Sequence, residues 1–171
     1  TSTTATYFGG LVGSNNGVIS LDAECVKFDN VVLTTSNSNA DGLNVGLVAG
    51  LNAGEISGNY VDKDGLNNIV FNVISNLTIY SNTNNAVINV GGVAGENYNG
   101  IIKNLLIGGS IEVQNNANYS STGYVGGVVG VNIFEAGENV NVKYIDSCTV
   151  IGLDLISSST GISLAGIVGS S

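Results

Sequence analysis

Val90-Gly91-Gly92-Val93-Ala94-Gly95-Glu96-Asn97 is one copy of a block that decides how this chain folds: apolar, small, small, apolar, small, Gly, any residue, Asn. The other full copies are Phe8-Gly9-Gly10-Leu11-Val12-Gly13-Ser14-Asn15, Val45-Gly46-Leu47-Val48-Ala49-Gly50-Leu51-Asn52 and Val125-Gly126-Gly127-Val128-Val129-Gly130-Val131-Asn132. A fifth begins at Leu164-Ala165-Gly166-Ile167-Val168-Gly169. The closing glycines, Gly13, Gly50, Gly95, Gly130 and Gly169, are 37, 45, 35 and 39 residues apart. Self-similarity at that period marks a repeat architecture before any local assignment is made.

Between the blocks runs a second recurring pattern of apolar, polar, Asn or Ser, apolar, any, apolar. It reads Phe28-Asp29-Asn30-Val31-Val32-Leu33, Ile74-Ser75-Asn76-Leu77-Thr78-Ile79, Ile102-Lys103-Asn104-Leu105-Leu106-Ile107 and Ile145-Asp146-Ser147-Cys148-Thr149-Val150. Its period-two alternation is that of a half-buried strand. A third β-prone stretch follows as Ile111-Glu112-Val113 and Leu153-Asp154-Leu155. Equivalent strands that recur once per repeat stack on their own kind. The expected fold is therefore all-β: a parallel β-solenoid with about three strands per coil, four coils and a partial fifth. The general preference of parallel crossovers sets its expected hand as right. One repeat domain spans 1–171, with repeats at 8–44, 45–89, 90–124, 125–163 and a partial one at 164–171. In that stack Asn15, Asn52, Asn97 and Asn132 lie one above another, about 4.8 Å apart, as a structural asparagine ladder.

Composition agrees with this and removes several functions. The chain has 25 glycines, is 43% hydrophobic and only 10% charged, and contains no Pro, Met, Trp or His. Val, Ile and Leu with so little charge argue against disorder. A net charge of −9, with only four cationic side chains, all Lys, excludes nucleic acid and anionic membrane surfaces as partners. No apolar run reaches the ~20 residues of a membrane span. Without His or Arg, the usual general bases and oxyanion partners are missing, so no catalytic residue is assigned. The start at Thr1 and the end inside a fifth block suggest a piece of a longer protein.

Few side chains stand out as sites. Asp62, Asp64 and Asn67, with Gly65 to bend the chain, resemble the start of a Ca²⁺ loop, but no acid closes it. A solvated turn is the expected reading, Ca²⁺ the alternative, and no other cofactor is implied. Asn76 and Asn118 lie in N-glycosylation sequons. Asn76 is expected to stack with Asn30 and Asn104, leaving Asn118 the better acceptor. Cys25 and Cys148 fall in coils one and four, roughly 14 Å apart by strand stacking, too far for a disulfide. Phe28, Phe71, Tyr98, Tyr124, Phe134 and Tyr144 read as core and corner fillers, with a glycan-binding face as the alternative. Tyr60 and Tyr119, in the polar insertions, are the aromatics expected to be exposed.

The blocks Gly9-Gly10-Leu11-Val12-Gly13-Ser14-Asn15 and Gly91-Gly92-Val93-Ala94-Gly95-Glu96-Asn97, each followed by a β-prone segment, resemble the GLUG repeat. GLUG repeats occur in large, repetitive surface proteins, including adhesin-like proteins and regions accompanying immunoglobulin A peptidases. The resemblance implies an extracellular, cell-surface structural or adhesive module of a stalk or filament. Its expected partners are further repeats of the same protein or end-to-end copies, with surface glycans as a second class. A carbohydrate-binding or carbohydrate-cleaving β-helix is the alternative function.

Overall fold

The structure, a computed structural model, describes residues 5–21, 26–35, 42–60, 71–82, 84, 86–116, 119–135 and 144–171. The first coil contains β1 (Thr6–Gly9), β2 (Val12–Asn15), β3 (Val18–Ser20) and β4 (Val26–Thr35). The second contains β5 (Leu43–Gly46), β6 (Ala49–Asn52), β7 (Glu55–Ser57) and β8 (Val73–Ser81). The third contains β9 (Ala86–Gly91), β10 (Ala94–Tyr98), β11 (Ile101–Lys103) and β12 (Leu106–Asn115). The fourth contains β13 (Ser121–Gly126), β14 (Val129–Ile133), β15 (Ile145–Asp146) and β16 (Thr149–Ser157), and β17 (Gly161–Ala165) and β18 (Val168–Ser170) open a fifth.

Four sheets result, ordered β1-β5-β9-β13-β17, β2-β6-β10-β14-β18, β3-β7-β11-β15 and β4-β8-β12-β16. Neighbouring strands in each sheet are parallel. The chain is thus a parallel β-solenoid, as the repeat requires. Among the described residues each full coil has four strands where the sequence suggested three. The reason is local: the repeated block contributes two strands, such as β5 and β6, joined by a two-residue elbow.

Small residues make that elbow possible. A Cβ added to Gly46, Gly91 or Gly126 would lie 2.0, 1.9 or 1.9 Å from the carbonyl oxygen of Ala49, Ala94 or Val129. One added to Gly95 would lie 2.3 Å from the Val45 amide nitrogen. The glycine faces of the first two sheets therefore touch backbone to backbone. Their other faces look into two cores. Val48, Ala49, Val93, Ala94, Val128 and Val129 pack with Ile56, Ile102, Leu105 and Ile107 in one. Val45, Val90 and Val125 pack with Leu77, Ile79, Ile111 and Val113 in the other.

Leu47, the one large side chain at a position that is otherwise Gly, has a packing partner in the fourth sheet. In the first coil, a Cβ on Gly10 would meet Phe28 Cε1 at 2.4 Å, so Phe28 fills that space. Ser75 pairs with Phe28 in the second coil, and fully buried Leu47 supplies the volume that Ser75 lacks. In the fourth coil the pair is large again on the sheet side, with Leu153 facing Gly127. The exchange of volume across the pair holds in the first, second and fourth coils, whereas in the third both positions, Gly92 and Gly109, are glycine.

The second recurring pattern needs correction. Ile102-Lys103 pairs with Ile145-Asp146 and with Ile56-Ser57 in the third sheet. Ile74-Ser75-Asn76-Leu77 instead pairs with Gly108-Gly109-Ser110-Ile111 in the fourth sheet, and Phe28 and Val31 pair there with Ser75 and Leu77. Asn76 consequently stands beside Ser110, away from Asn104. Cys148 precedes Thr149, the partner of Leu106, so it occupies the corner position of Leu105 but not the strand position of Leu77. Two different sheets carry the same period-two pattern, so spacing alone confuses them. The corners before the fourth sheet are marked by left-handed residues, Asn104 (φ 55°) and Ser147 (φ 53°).

Candidate functional site

The corner after the second sheet holds a continuous amide column. Asn15 Nδ2 donates to Asn52 Oδ1 at 2.8 Å, Asn52 Nδ2 to Asn97 Oδ1 at 2.7 Å, and Asn97 Nδ2 to Asn132 Oδ1 at 2.8 Å. Asn52 and Asn97 are fully buried. The first three amides also serve their own corners: Gly17 N donates to Asn15 Oδ1, Asn52 Nδ2 donates to Gly54 O, and Asn97 Nδ2 donates to Gly100 O. An amide has both a donor and an acceptor, so one residue type satisfies itself indefinitely along the stack. The column has a direction, because every amide donates toward the C-terminal end.

A second polar chain crosses the mouth between the first two sheets and was not anticipated from the sequence. Asn89 Nδ2 donates to Asn44 Oδ1 at 2.8 Å, and Asn44 Nδ2 donates to Glu96 Oε2 at 2.8 Å. Tyr7, in the same strand column as Asn44, hydrogen-bonds the Glu96 carboxylate. Burial pushes the Glu96 carboxyl above its ordinary range, partly countered by the Tyr7 hydroxyl. Burial and the neighbouring Glu96 likewise raise Tyr7. Asn89 Oδ1 is buried and has no hydrogen-bond partner among the described residues. The next position in its column is Tyr124, which offers no amide. A residue pair spaced like the first ladder, Asn44 and Asn89, was the available clue, but it recurs only twice.

Other sequence candidates fall where they carry less. Asp62, Asp64, Asn67, Asn118 and Cys25 lie outside the described residues. Asn76 faces the exterior of β8 and donates to Asp29 Oδ1 at 3.3 Å. Cys148 is a free, partly buried thiol packed on the first core, with burial pushing it up to about 11. Among the described residues two pairs bring opposite charges together: Lys27 with Asp29 and Lys103 with Glu55, each at 3.0 Å. The Lys103 hydrogen bond holds the Glu55 carboxyl below its ordinary range. Among the described residues, no group of three or more Cys, Asp or Glu side chains could hold a metal ion.

Two surface features collect aromatic or polar side chains. Phe134 is 59% exposed, in place of the buried filler expected, and stacks on Tyr144 with centroids 6.2 Å apart and planes 15° from parallel. Beside it, the Tyr98 hydroxyl donates to Glu135, whose amide donates to Asn99 Oδ1 at 3.0 Å. Tyr124 is also exposed, whereas Phe28 packs on the second core. Tyr119 is exposed as expected, and Tyr60 is half-buried. The other feature is an open depression of about 360 Å³ at the end of the fourth sheet, lined by Thr34, Tyr80, Asn82, Gln114, Asn115 and Asn116. No described helix is long and apolar enough to cross a membrane. The chain matches no protein-family model, no curated protein and no solved structure.

Proposed function

We propose that the chain is a non-enzymatic structural and adhesive β-solenoid module of an extracellular surface protein, stalk or filament, its coils continued by further repeats or by another copy. The observation that carries this reading is the state of the elbow column. Val48, Val93 and Val128 are fully buried, yet Leu11 and Ile167, which stand at the same elbow position in the first and last coils, are 48% and 38% exposed. Among the described residues, apolar elbow positions and strand edges without a paired neighbour in the outer coils are compatible with addition of more coils. The resemblance to the GLUG repeat supports the extracellular placement.

Negative-stain electron microscopy and light scattering across a concentration series test the assembly, and immunogold labelling of source cells tests the location. Rods that lengthen with concentration, or rods that extend from larger surface proteins, are expected, with label outside the membrane. Short monomers at all concentrations, together with label inside the cell, would overturn the proposal.

A further inference from the structure

The depression on the fourth sheet is lined by uncharged polar side chains and one aromatic ring. Strand pairing places Thr34, Tyr80 and Gln114 side by side in one outward row across the first three coils. The row spans two strand spacings, about 10 Å along the solenoid axis. Asn82, Asn115 and Asn116 close its end, so one phenol ring, one hydroxyl and four carboxamides line the space, and among the described residues no ionised side chain does. Tyr80 is 38% exposed and offers a ring face.

Neighbouring contacts hold these groups in place. Gln114 Nε2 donates to Glu112 Oε1 at 2.6 Å, and Asn115 Oδ1 accepts from Ser121 Oγ at 2.8 Å. The backbone beneath is tied by Asn82 N to Thr35 O at 2.9 Å and Asn116 N to Ser81 O at 3.1 Å. Gln114 and Asn115 therefore stand pre-ordered on a paired sheet and cost little ordering entropy on binding.

We propose that this depression is a binding subsite for a neutral glycan lying along the solenoid axis. Carboxamides present donor and acceptor together, which matches the hydroxyls of a sugar. The Tyr80 ring supplies an apolar face for pyranose C–H groups. An anionic ligand would find no cation in the lining, and a metal ion would find no carboxylate. The Phe134–Tyr144 pair is the competing aromatic platform, and Phe134→Ala separates the two in the experiment below. The subsite stands independently of whether the coils are extended by other chains.

Saturation-transfer NMR on the intact chain, with cellotetraose, chitotetraose and maltotetraose as probes, tests the assignment. At least one probe is expected to show transfer to its ring C–H protons. Tyr80→Ala is expected to weaken that probe roughly tenfold, the scale of one aromatic contact. Tyr80→Phe should retain binding, Gln114→Ala should weaken it, and Phe134→Ala should leave it unchanged. Tyr80 is partly exposed, and an unchanged circular dichroism spectrum shows that its variants are folded. No transfer from any probe, binding unaffected by Tyr80→Ala, or binding lost in Phe134→Ala would overturn the proposal.

Discussion

Replacing Asn52 by Ala cuts the asparagine column at an internal rung. Two amide bonds disappear, one from Asn15 at 2.8 Å and one to Asn97 at 2.7 Å. Asn97 Oδ1 loses its donor in a fully buried site, whereas Asn15 Nδ2 keeps Glu55 O at 3.2 Å. A stranded buried acceptor costs about 1–3 kcal/mol and each lost net bond about 1 kcal/mol, so the expected destabilisation is about 3 kcal/mol. For a chain of this size that corresponds to a fall in Tm of about 6–12 °C. Asn132→Ala, at the C-terminal end of the column, removes one acceptor and leaves Asn97 Nδ2 still donating to Gly100 O, so it should cost only about 1 kcal/mol. Urea and thermal unfolding followed by circular dichroism measure both. If Asn52→Ala falls within about 1 kcal/mol of the parent, or if Asn132→Ala is equally damaging, the column is not the buried, mutually satisfied element argued here.

Three more perturbations probe separate parts of the coil. Glu96 has a raised carboxyl in the folded chain, so folding favours its protonated form, and stability is gained as pH falls through the folded value. Glu96→Gln should therefore raise Tm at neutral pH and lose that advantage below about pH 4, where the unfolded carboxyl also protonates; a pH series of melting curves reads this. Tyr124→Asn places an amide where the buried Asn89 Oδ1 lacks a donor, and it should exceed Tyr124→Ala in stability by about 1–2 kcal/mol by urea titration. The Cys148 thiol, pushed up to about 11 by burial, should react with a thiol reagent at pH 8 far more slowly than in urea, as mass spectrometry of the alkylated peptide would show.

The stacking was legible because the block carries its own registration marks. Gly and Asn recur at fixed places in the four full copies, so the copies align on one another whatever lies between them. The elbow was harder to see. Phe8-Gly9-Gly10-Leu11-Val12 reads as one apolar stretch, and only the backbone approach at Gly46 and Gly95 reveals that it folds back on itself. The third and fourth sheets were conflated because Ile102-Lys103-Asn104 and Ile74-Ser75-Asn76 share an alternation that period two cannot separate. The glycan subsite was invisible for a different reason. Thr34, Tyr80 and Gln114 are unlike one another, and nothing in their types announces a row until strand register aligns them.

The four-strand coil is tested most directly by engineered cross-links in a background lacking both native cysteines. Asn76 and Ser110 are register partners on adjacent strands, about 4.8 Å apart, a separation that a disulfide spans. Asn104 lies in the corner before β12, where the three-strand reading would have placed it beside Asn76. Air oxidation followed by peptide mass mapping should link Asn76→Cys with Ser110→Cys and leave Asn76→Cys with Asn104→Cys reduced. The opposite pattern would contradict the coil.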